Sequence, residues 1–312
     1  MDCVVTGGAG FIGSNLVDAL IARGDRVTVI DDLSSGKLEN LERALAAGAH
    51  LHRADVRDAG AVTAIFEAAR PQAVFHLAAQ IDVRRSVEDP AHDAAVNVLG
   101  AINVLAAAHS CGVRRVVNSS TGGGLYGDAE LLPTPEAHPI RSLAPYGQSK
   151  LAAEGYFELY TRLHGLSTVS LRYGNVYGPR QDVHGEAGVV AIFCGCLISG
   201  ATPQVYGDGR QTRDWVDVAD VVAANLLAAG SAVSGPLNIA GGEETSVLEL
   251  IDALGEAGAE HGLTLAAPRF LPARAGEVNR SRLDVARAAS ALGWRPTVGL
   301  REGLERILAG LL

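Results

Sequence analysis

Lysine is almost missing from this chain. Lys37 and Lys150 are the only two in 312 residues, and every other basic side chain is arginine. Basic residues are also outnumbered, 26 Lys and Arg against 35 Asp and Glu, for a formal charge of -9. That excess of acid argues against a nucleic-acid binder, which usually shows a basic face, so any anionic ligand must be met by locally placed arginines. Cysteine is scarce too. Cys3, Cys111, Cys194 and Cys196 show neither the C-x-x-C spacing of a zinc site nor the density of a disulfide scaffold; they read as small buried hydrophobes, and no metal site is expected. The longest apolar run, "GVVAIFCGCLISGA", falls short of the ~20 residues that span a bilayer. "MDCVVTGG" enters a strand pattern at once, without a basic segment or cleavage-like site, so the expectation is a cytoplasmic protein with no membrane partner.

What is present is an alternation of short apolar runs with helix-length segments. "CVVTG", "RVTVIDD", "AVFHLAA", "RVVNSS" and "TVSLRYG" are separated by stretches such as "SNLVDALIARG" and "AAVNVLGAINVLAAAHSCG". Continuous Val-rich runs suggest strands covered on both faces, as in a parallel sheet of βαβ units, which predicts an α/β, doubly wound (Rossmann) fold. Beyond about residue 173 the texture changes to loops rich in Gly, Pro and Arg, including "GNVYGPRQDVHGEAG" and "PARAGEVNRSR". The expected division is a dinucleotide domain over 1–172, with a return segment at about 214–235. A smaller, interleaved C-terminal substrate domain would occupy 173–213 and 236–312.

"VVTGGAGFIGSNLVDAL" places Gly7, Gly10 and Gly13 between a predicted strand and the opening of a helix. Glycines there permit a tight turn and close backbone approach to a pyrophosphate, whose charge is favoured by the helix N-terminus. Asp31 stands at the next strand end, eighteen residues past Gly13, where an acid can bond a ribose diol. Asp32 beside it would repel a 2'-phosphate, so NAD is expected rather than NADP. Asp55 in "RADVRD" falls at another strand end, and Leu77, Ala78, Ala79 and Gln80 at the end of the fourth, where small side chains let a cofactor lie close. In "APYGQSKLAAEGYF", Tyr146 and Lys150 are four residues apart and share one helix face. A neighbouring ammonium stabilises a phenolate, lowering a tyrosine pKa towards that of a general base.

The set "TGGAGFIG", "DDLSSG", "HLAAQ", "SST" and "YGQSK" resembles the extended short-chain dehydrogenase/reductase superfamily over essentially the whole chain. "RYGNVYGPRQ" and "GDGRQTRDW" look like its nucleotide-sugar 4-epimerase branch. The resemblance implies NAD as cofactor, a UDP-sugar as substrate, and 4-epimerisation through a transient 4-keto sugar. It makes Tyr146 the general base and acid, and Lys150 the cofactor anchor. A hydroxyl from "NSST" bonds the sugar oxygen: Thr121 is assigned, with Ser120 as the alternative, because the usual interval before Tyr126 lands on Gly122. To the cofactor site it adds Phe11, Ile12, Leu33, Ser34, Ser35, Val56, Asn97, Ser119 and Tyr173. On the substrate side it implies Arg213 and Arg274 as a diphosphate clamp, Asn175 as an amide donor and Glu277 as an acid at the uridine ribose. Arg84, Gly122, Val189, Gln204 and Tyr206 complete that set, with Arg180 a further candidate arginine. Gly122, Gly123 and Gly124 would widen the pocket or present N–H groups to a ring substituent.

Relatives that dehydrate their sugar place Asp-Glu after the catalytic Thr, whereas Gly122 and Gly123 stand here. A nucleotide-sugar dehydrogenase would share the same motifs, and a non-catalytic NAD-sensing protein would share the glycine fingerprint. A homodimer is implied, through a four-helix bundle of the Tyr146 helix and the preceding one near 93–110. The apolar pattern of that preceding helix fits its own sheet equally well.

Overall fold

A computed structural model describes residues 1–182, 188–273 and 278–312. Six strands, β1 (Asp2–Thr6), β2 (Arg26–Asp31), β3 (His50–Arg53), β4 (Ala73–His76), β5 (Arg115–Thr121) and β6 (Ser167–Tyr173), join a seventh, Gly235–Ile239, in one sheet. The sheet is parallel throughout, in the order Gly235–Ile239, β6, β5, β4, β1, β2, β3. Strand order reverses between β1 and β4, and open sheets of this kind bind ligands at the carboxyl ends beside such a reversal. The apolar runs are explained by what covers them. Cys3, Val5, Val29 and Val117 face a layer containing Leu16, Val17, Leu20, Val221 and Ala228. Val4, Ile30, Val74 and Val116 face the opposite layer, with Phe66, Val104, Leu105 and Phe157. Both faces of β1, β2, β4 and β5 are therefore dry, and their residues alternate between two apolar layers rather than between core and water, whereas the edge strand β3 is largely exposed.

The edge strand Gly235–Ile239 pairs with β6, so the return to the first domain runs past the expected end at 235. Trp294, later still, is buried in the same layer as Val221 and Leu237. A third core, built from Tyr177, Phe193, Leu197, Leu250, Leu254, Leu304 and Leu308, lies under helices Val189–Ser199, Val247–Glu260 and Leu300–Leu311. Cys3 and Cys194 are buried as expected, and burial pushes both thiols up to about 12. Cys111 and Cys196 are only partly covered, which the composition did not indicate.

Residues Pro90–Ser110 form one continuous helical stretch with a mean hydropathy of 1.3, long and apolar enough by length and composition to cross a membrane. Its apolarity has a different cause. Ala101, Val104, Leu105 and Ala108 pack on the sheet, while Asp93 and Asn97 are buried too. A π-helical turn at Ala95–Leu99 interrupts its regular spacing, a feature common near functional sites. The periodicity thus serves the chain's own core.

One buried ion pair ties this scaffold together. Arg172 of β6 donates from Nε and Nη2 to Glu154 on helix Pro145–His164, at 3.0 and 2.7 Å, with both side chains under a tenth exposed. Arg172 Nη1 reaches the Tyr126 hydroxyl at 2.8 Å, and that hydroxyl donates to Asn238 of the edge strand at 3.0 Å. Removing one partner of such a pair leaves an uncompensated charge in the interior. Arg172→Ala is therefore expected to cost about 3–5 kcal/mol in urea unfolding. A loss below about 1 kcal/mol would mean that the pair does not hold helix and sheet together.

Candidate active site

At the strand-order reversal, β1 ends in a turn that only glycine permits. Gly7 has φ +69°, and a Cβ there would lie 2.6 Å from the Ala78 amide nitrogen; a Cβ on Gly13 would lie 2.1 Å from the Gly7 carbonyl oxygen. These contacts press helix Phe11–Ala22 and the segment after β4 against the turn. Gly10 is different, since its Cβ position meets only the Gly7 carbonyl, at 3.3 Å. Its outer face is left bare, beside the N-terminus that begins with Phe11 and Ile12. Asp31 closes the turn from β2: its carboxylate accepts from the Ala9 and Leu33 amides, both at 2.9 Å, and burial raises its pKa. Asp32 fixes the following loop by accepting from the Ser34 amide and hydroxyl, with Ser34 and Ser35 exposed. Asp55 pairs with Arg57, which holds its carboxyl below the usual range. Val56 packs where Gly100 has no side chain. Leu77, Ala78 and Ala79 are half-buried along one wall. The bare glycine turn, the helix N-terminus and the two acids fit a dinucleotide without a 2'-phosphate.

Helix Pro145–His164 begins with Pro at its first position and ends at Gly165 in the left-handed conformation, so its register is set at both ends. Tyr146 lies in its first turn and Lys150 one turn on. Lys150 is 6% exposed and donates to the Ser119 carbonyl at 3.0 Å. Ser119 therefore acts here through its backbone. Burial drops the Lys150 ammonium to about 8, against the opposing fields of Asp93 and Glu154. Burial pushes the Tyr146 phenol up to about 12, opposed by a hydrogen bond with Thr121 and reinforced by the negative charge of Asp93. The expected lowering of the phenol by its neighbouring lysine is thus not met by the chain alone. Desolvation dominates, because the Lys150 head is turned to Ser119.

The two candidate hydroxyls separate clearly. Thr121 bonds the phenol and accepts from the Gly124 amide at 3.0 Å. Ser120 Oγ is buried without a hydrogen-bond partner. Gly124 is required for this approach, since a Cβ would lie 2.9 Å from Thr121 Cγ2 and 3.3 Å from Tyr146 Cε1. Gly122 is a correction. It is buried, its amide donates to the Tyr173 carbonyl at 2.7 Å, and a Cβ would meet Leu283 Cδ1 at 2.3 Å. It packs behind the pocket and offers no donor to a sugar. Gly123 is not packed in this way: its Cβ position meets only the Asn175 Oδ1, at 3.8 Å.

Four further expectations change. Gln80 and Asn97 are turned inward: the Gln80 amide nitrogen and carbonyl bond the Asn97 side chain, and the Gln80 side chain reaches Asp82 and Asp93. They brace the wall from behind, the π-helical turn having carried Asn97 to that position. The Tyr173 phenol bonds Asn225, so only its backbone borders the pocket. Arg180 is paired with Asp18 of helix Phe11–Ala22. Arg84 lies exposed on helix Val83–Glu88. Arg213 donates from Nη1 to the Thr212 and Val278 carbonyls, both at 2.8 Å. Val189 opens helix Val189–Ser199, and Gln204 and Tyr206 lie on a strand paired with Arg269–Leu271. Arg274 and Glu277 lie outside the described residues. Asp93 belongs to no motif of the sequence, although an acid inside an otherwise apolar helix is a signal in itself, and Ser149 lies inside "YGQSK" without having been given a role. No cluster of His, Cys, Asp or Glu suited to a metal occurs among the described residues.

A Rossmann sheet with a glycine turn and a Thr-Tyr-Lys constellation at its carboxyl ends defines an NAD-dependent sugar-nucleotide type of enzyme, and comparison with known proteins narrows the class. Residues 3–240 match the NAD dependent epimerase/dehydratase family, and the chain belongs to it. A UDP-glucose 4-epimerase of Mycolicibacterium smegmatis is 47% identical over 309 residues, 98% of this chain and 97% of that one. The crystal structure of a UDP-glucose 4-epimerase from Thermotoga maritima with UDP-glucose is 44% identical, with a TM-score of 0.95 over 100% of this chain and 98% of that one. A UDP-glucose 4-epimerase of Thermus thermophilus in complex with NAD is 43% identical, with a TM-score of 0.91, over 99% and 98%. NAD is the cofactor.

The hydroxyl assignment has a direct check. Ser120→Ala removes an unpartnered buried group and should leave turnover within about two-fold with equal or higher thermal stability. Thr121→Ala should lower kcat on the order of 10²-fold, the loss of one placed hydrogen-bond donor. The reverse pattern would transfer the role to Ser120.

Proposed function

We propose that this chain interconverts the C4 epimers of a UDP-sugar of the UDP-glucose/UDP-galactose type, using NAD that it retains between turnovers. The single observation that carries this reading is the constellation of Thr121, Tyr146 and Lys150 beside the glycine turn, in a chain matching 4-epimerases over its full length. Gly7, Gly10, Gly13 and Asp31 would hold the dinucleotide, and Lys150 its nicotinamide ribose. When bound, NAD supplies an acceptor that takes a hydride from C4 of the sugar and can give it back. Tyr146 removes the proton of the 4-hydroxyl and later returns it, while Thr121 orients the same oxygen. Burial makes the Tyr146 phenol a weak acid, and positive charge brought near it would favour loss of its proton.

The sugar passes through a 4-keto form and must present its other face before the hydrogen returns. That demands firm anchoring of the diphosphate and a roomy sugar pocket. Arg213, with Arg274 by family resemblance, supplies the diphosphate anchor, and by the same resemblance Glu277 meets the uridine ribose. The open side of Gly123 opposite Asn175 supplies the room. No carboxylate follows Thr121, which disfavours dehydration: Gly122 and Gly123 stand there. A second copy of this chain is the proposed partner. Leu99, Tyr156 and Leu163 remain exposed on two helices whose other faces pack on the core, and pairing them across a two-fold axis would cover them.

Purified protein should carry NAD and interconvert UDP-glucose and UDP-galactose without added cofactor, with products identified by NMR. Stoichiometric consumption of NAD would indicate a dehydrogenase, and no turnover a binding protein. A panel with UDP-N-acetylglucosamine, UDP-glucuronate and dTDP-glucose defines the sugar and the base. Tyr146→Phe should reduce kcat by about 10²- to 10⁴-fold with little change in UDP-sugar affinity; full turnover would remove the proposed acid-base role.

A further inference from the structure

The ionisable groups around helix Pro145–His164 do not all pair by contact. Glu154 is spoken for by Arg172, which grips it through two nitrogens. His76, on the other side of Lys150, is fully enclosed and held neutral by burial, its pKa driven down to about 3; it bonds Thr6 at 2.8 Å. Two charges are left. One is the Lys150 ammonium, which donates to a neutral carbonyl. The other is Asp93, 0% exposed, whose carboxylate accepts only from neutral donors: Gln80 Nε2 at 2.8 Å, Asn97 Nδ2 at 3.1 Å and the Ser149 hydroxyl. Ser149 immediately precedes Lys150 and lies three residues after Tyr146.

Burying a single carboxylate or ammonium is costly, whereas opposite charges a few ångströms apart offset one another strongly when water is excluded. Three neutral hydrogen bonds keep Asp93 in place and leave its charge available to a neighbour.

We propose that Asp93 is a positioning residue for this reaction: through Ser149 it fixes the first turns of the catalytic helix, and its buried negative charge holds Lys150 as an ammonium. This rests on the functional reading above only for the word "catalytic"; the burial of both groups and the Asp93–Ser149 bond next to Lys150 are properties of the chain. Consistent with it, Asp93 is the largest influence opposing desolvation at Lys150, ahead of Glu154. The same field acts on Tyr146 in the direction that keeps the phenol protonated. Asp93 thus affects both groups in one sense, favouring the proton on each.

The scarcity of lysine supplies the test. With lysine labelled at Cε, NMR shows two signals: Lys37, half-exposed and paired with Asp182 on the surface, and Lys150. In the native holoenzyme Lys150 should titrate below Lys37 and remain charged at pH 7. A midpoint below 7 would overturn the proposal outright, without any variant. Asp93→Asn keeps the shape and most of the hydrogen bonds but removes the charge. It should move the Lys150 midpoint down by about one pH unit and leave Lys37 unchanged. In the pH profile of kcat/KM, both limbs should shift to lower pH together, because both protons are bound less tightly. Ser149→Ala keeps the charge and should lower kcat while leaving the Lys150 midpoint in place. An Asp93→Asn protein that folds with an unmoved Lys150 signal and a pH profile reduced only in height would show Asp93 to be merely structural. A failed epimerase assay with a shifted lysine signal would instead count against the functional reading and leave the charge pairing standing.

Discussion

Lys150 keeps its ammonium inside the protein, 3.0 Å from the Ser119 carbonyl, and much of the surrounding polar chemistry follows from the cost of taking that charge out of water. The lysine must lie on the first turns of its helix to share a face with Tyr146. The helix must then be held against the ends of β5 and β6, which the Glu154–Arg172 pair does one turn further along. Positive charge at Lys150 and negative charge at Asp93 lie within one dry layer, and the neutral His76 keeps a second cation from competing there. The same enclosure that makes the lysine costly also raises the phenol. Burial thus weakens the phenol as an acid and the ammonium as a charge together.

The parallel sheet explains why these groups meet. Successive strands end on the same edge, so residues 7, 31, 77 and 121 arrive together although they are far apart in the chain. The strand-order reversal between β1 and β4 is where open sheets of this kind carry their ligand crevice. Glycine then does two different jobs around it. Gly7 and Gly13 are bare because backbone atoms of the turn and of Ala78 press against them. Gly10 and Gly123 have nearly free space where a side chain would stand. Gly122, alike in sequence, belongs to neither group, since Leu283 fills the space beside it.

How much could be read in advance divides along the range of the interactions. The glycine turn, the five Val-rich strands, the Asp31 strand end and the Tyr146–Lys150 spacing are local patterns, and each takes its expected place. The edge strand Gly235–Ile239 does not stand out from the substrate region in sequence, because its position beside β6 depends on a partner some sixty residues earlier. Gln80, Asn97 and Tyr173 stand near the crevice in sequence terms but spend their polar atoms on the interior. No pattern in the neighbouring residues reveals which way such a side chain turns.

Sequence by itself determined the kind of fold, the class of cofactor and the placing of Tyr146 and Lys150 one turn apart on one helix, since strand periodicity, a glycine fingerprint and a four-residue helical spacing act over one or two turns of chain. Tertiary structure alone decided which hydroxyl touches the phenol, which of three consecutive glycines is packed against Leu283, and which buried carboxylate near Lys150 is taken by Arg172. Those outcomes depend on distances between segments brought together by folding, and on which groups lose their water when the layers close.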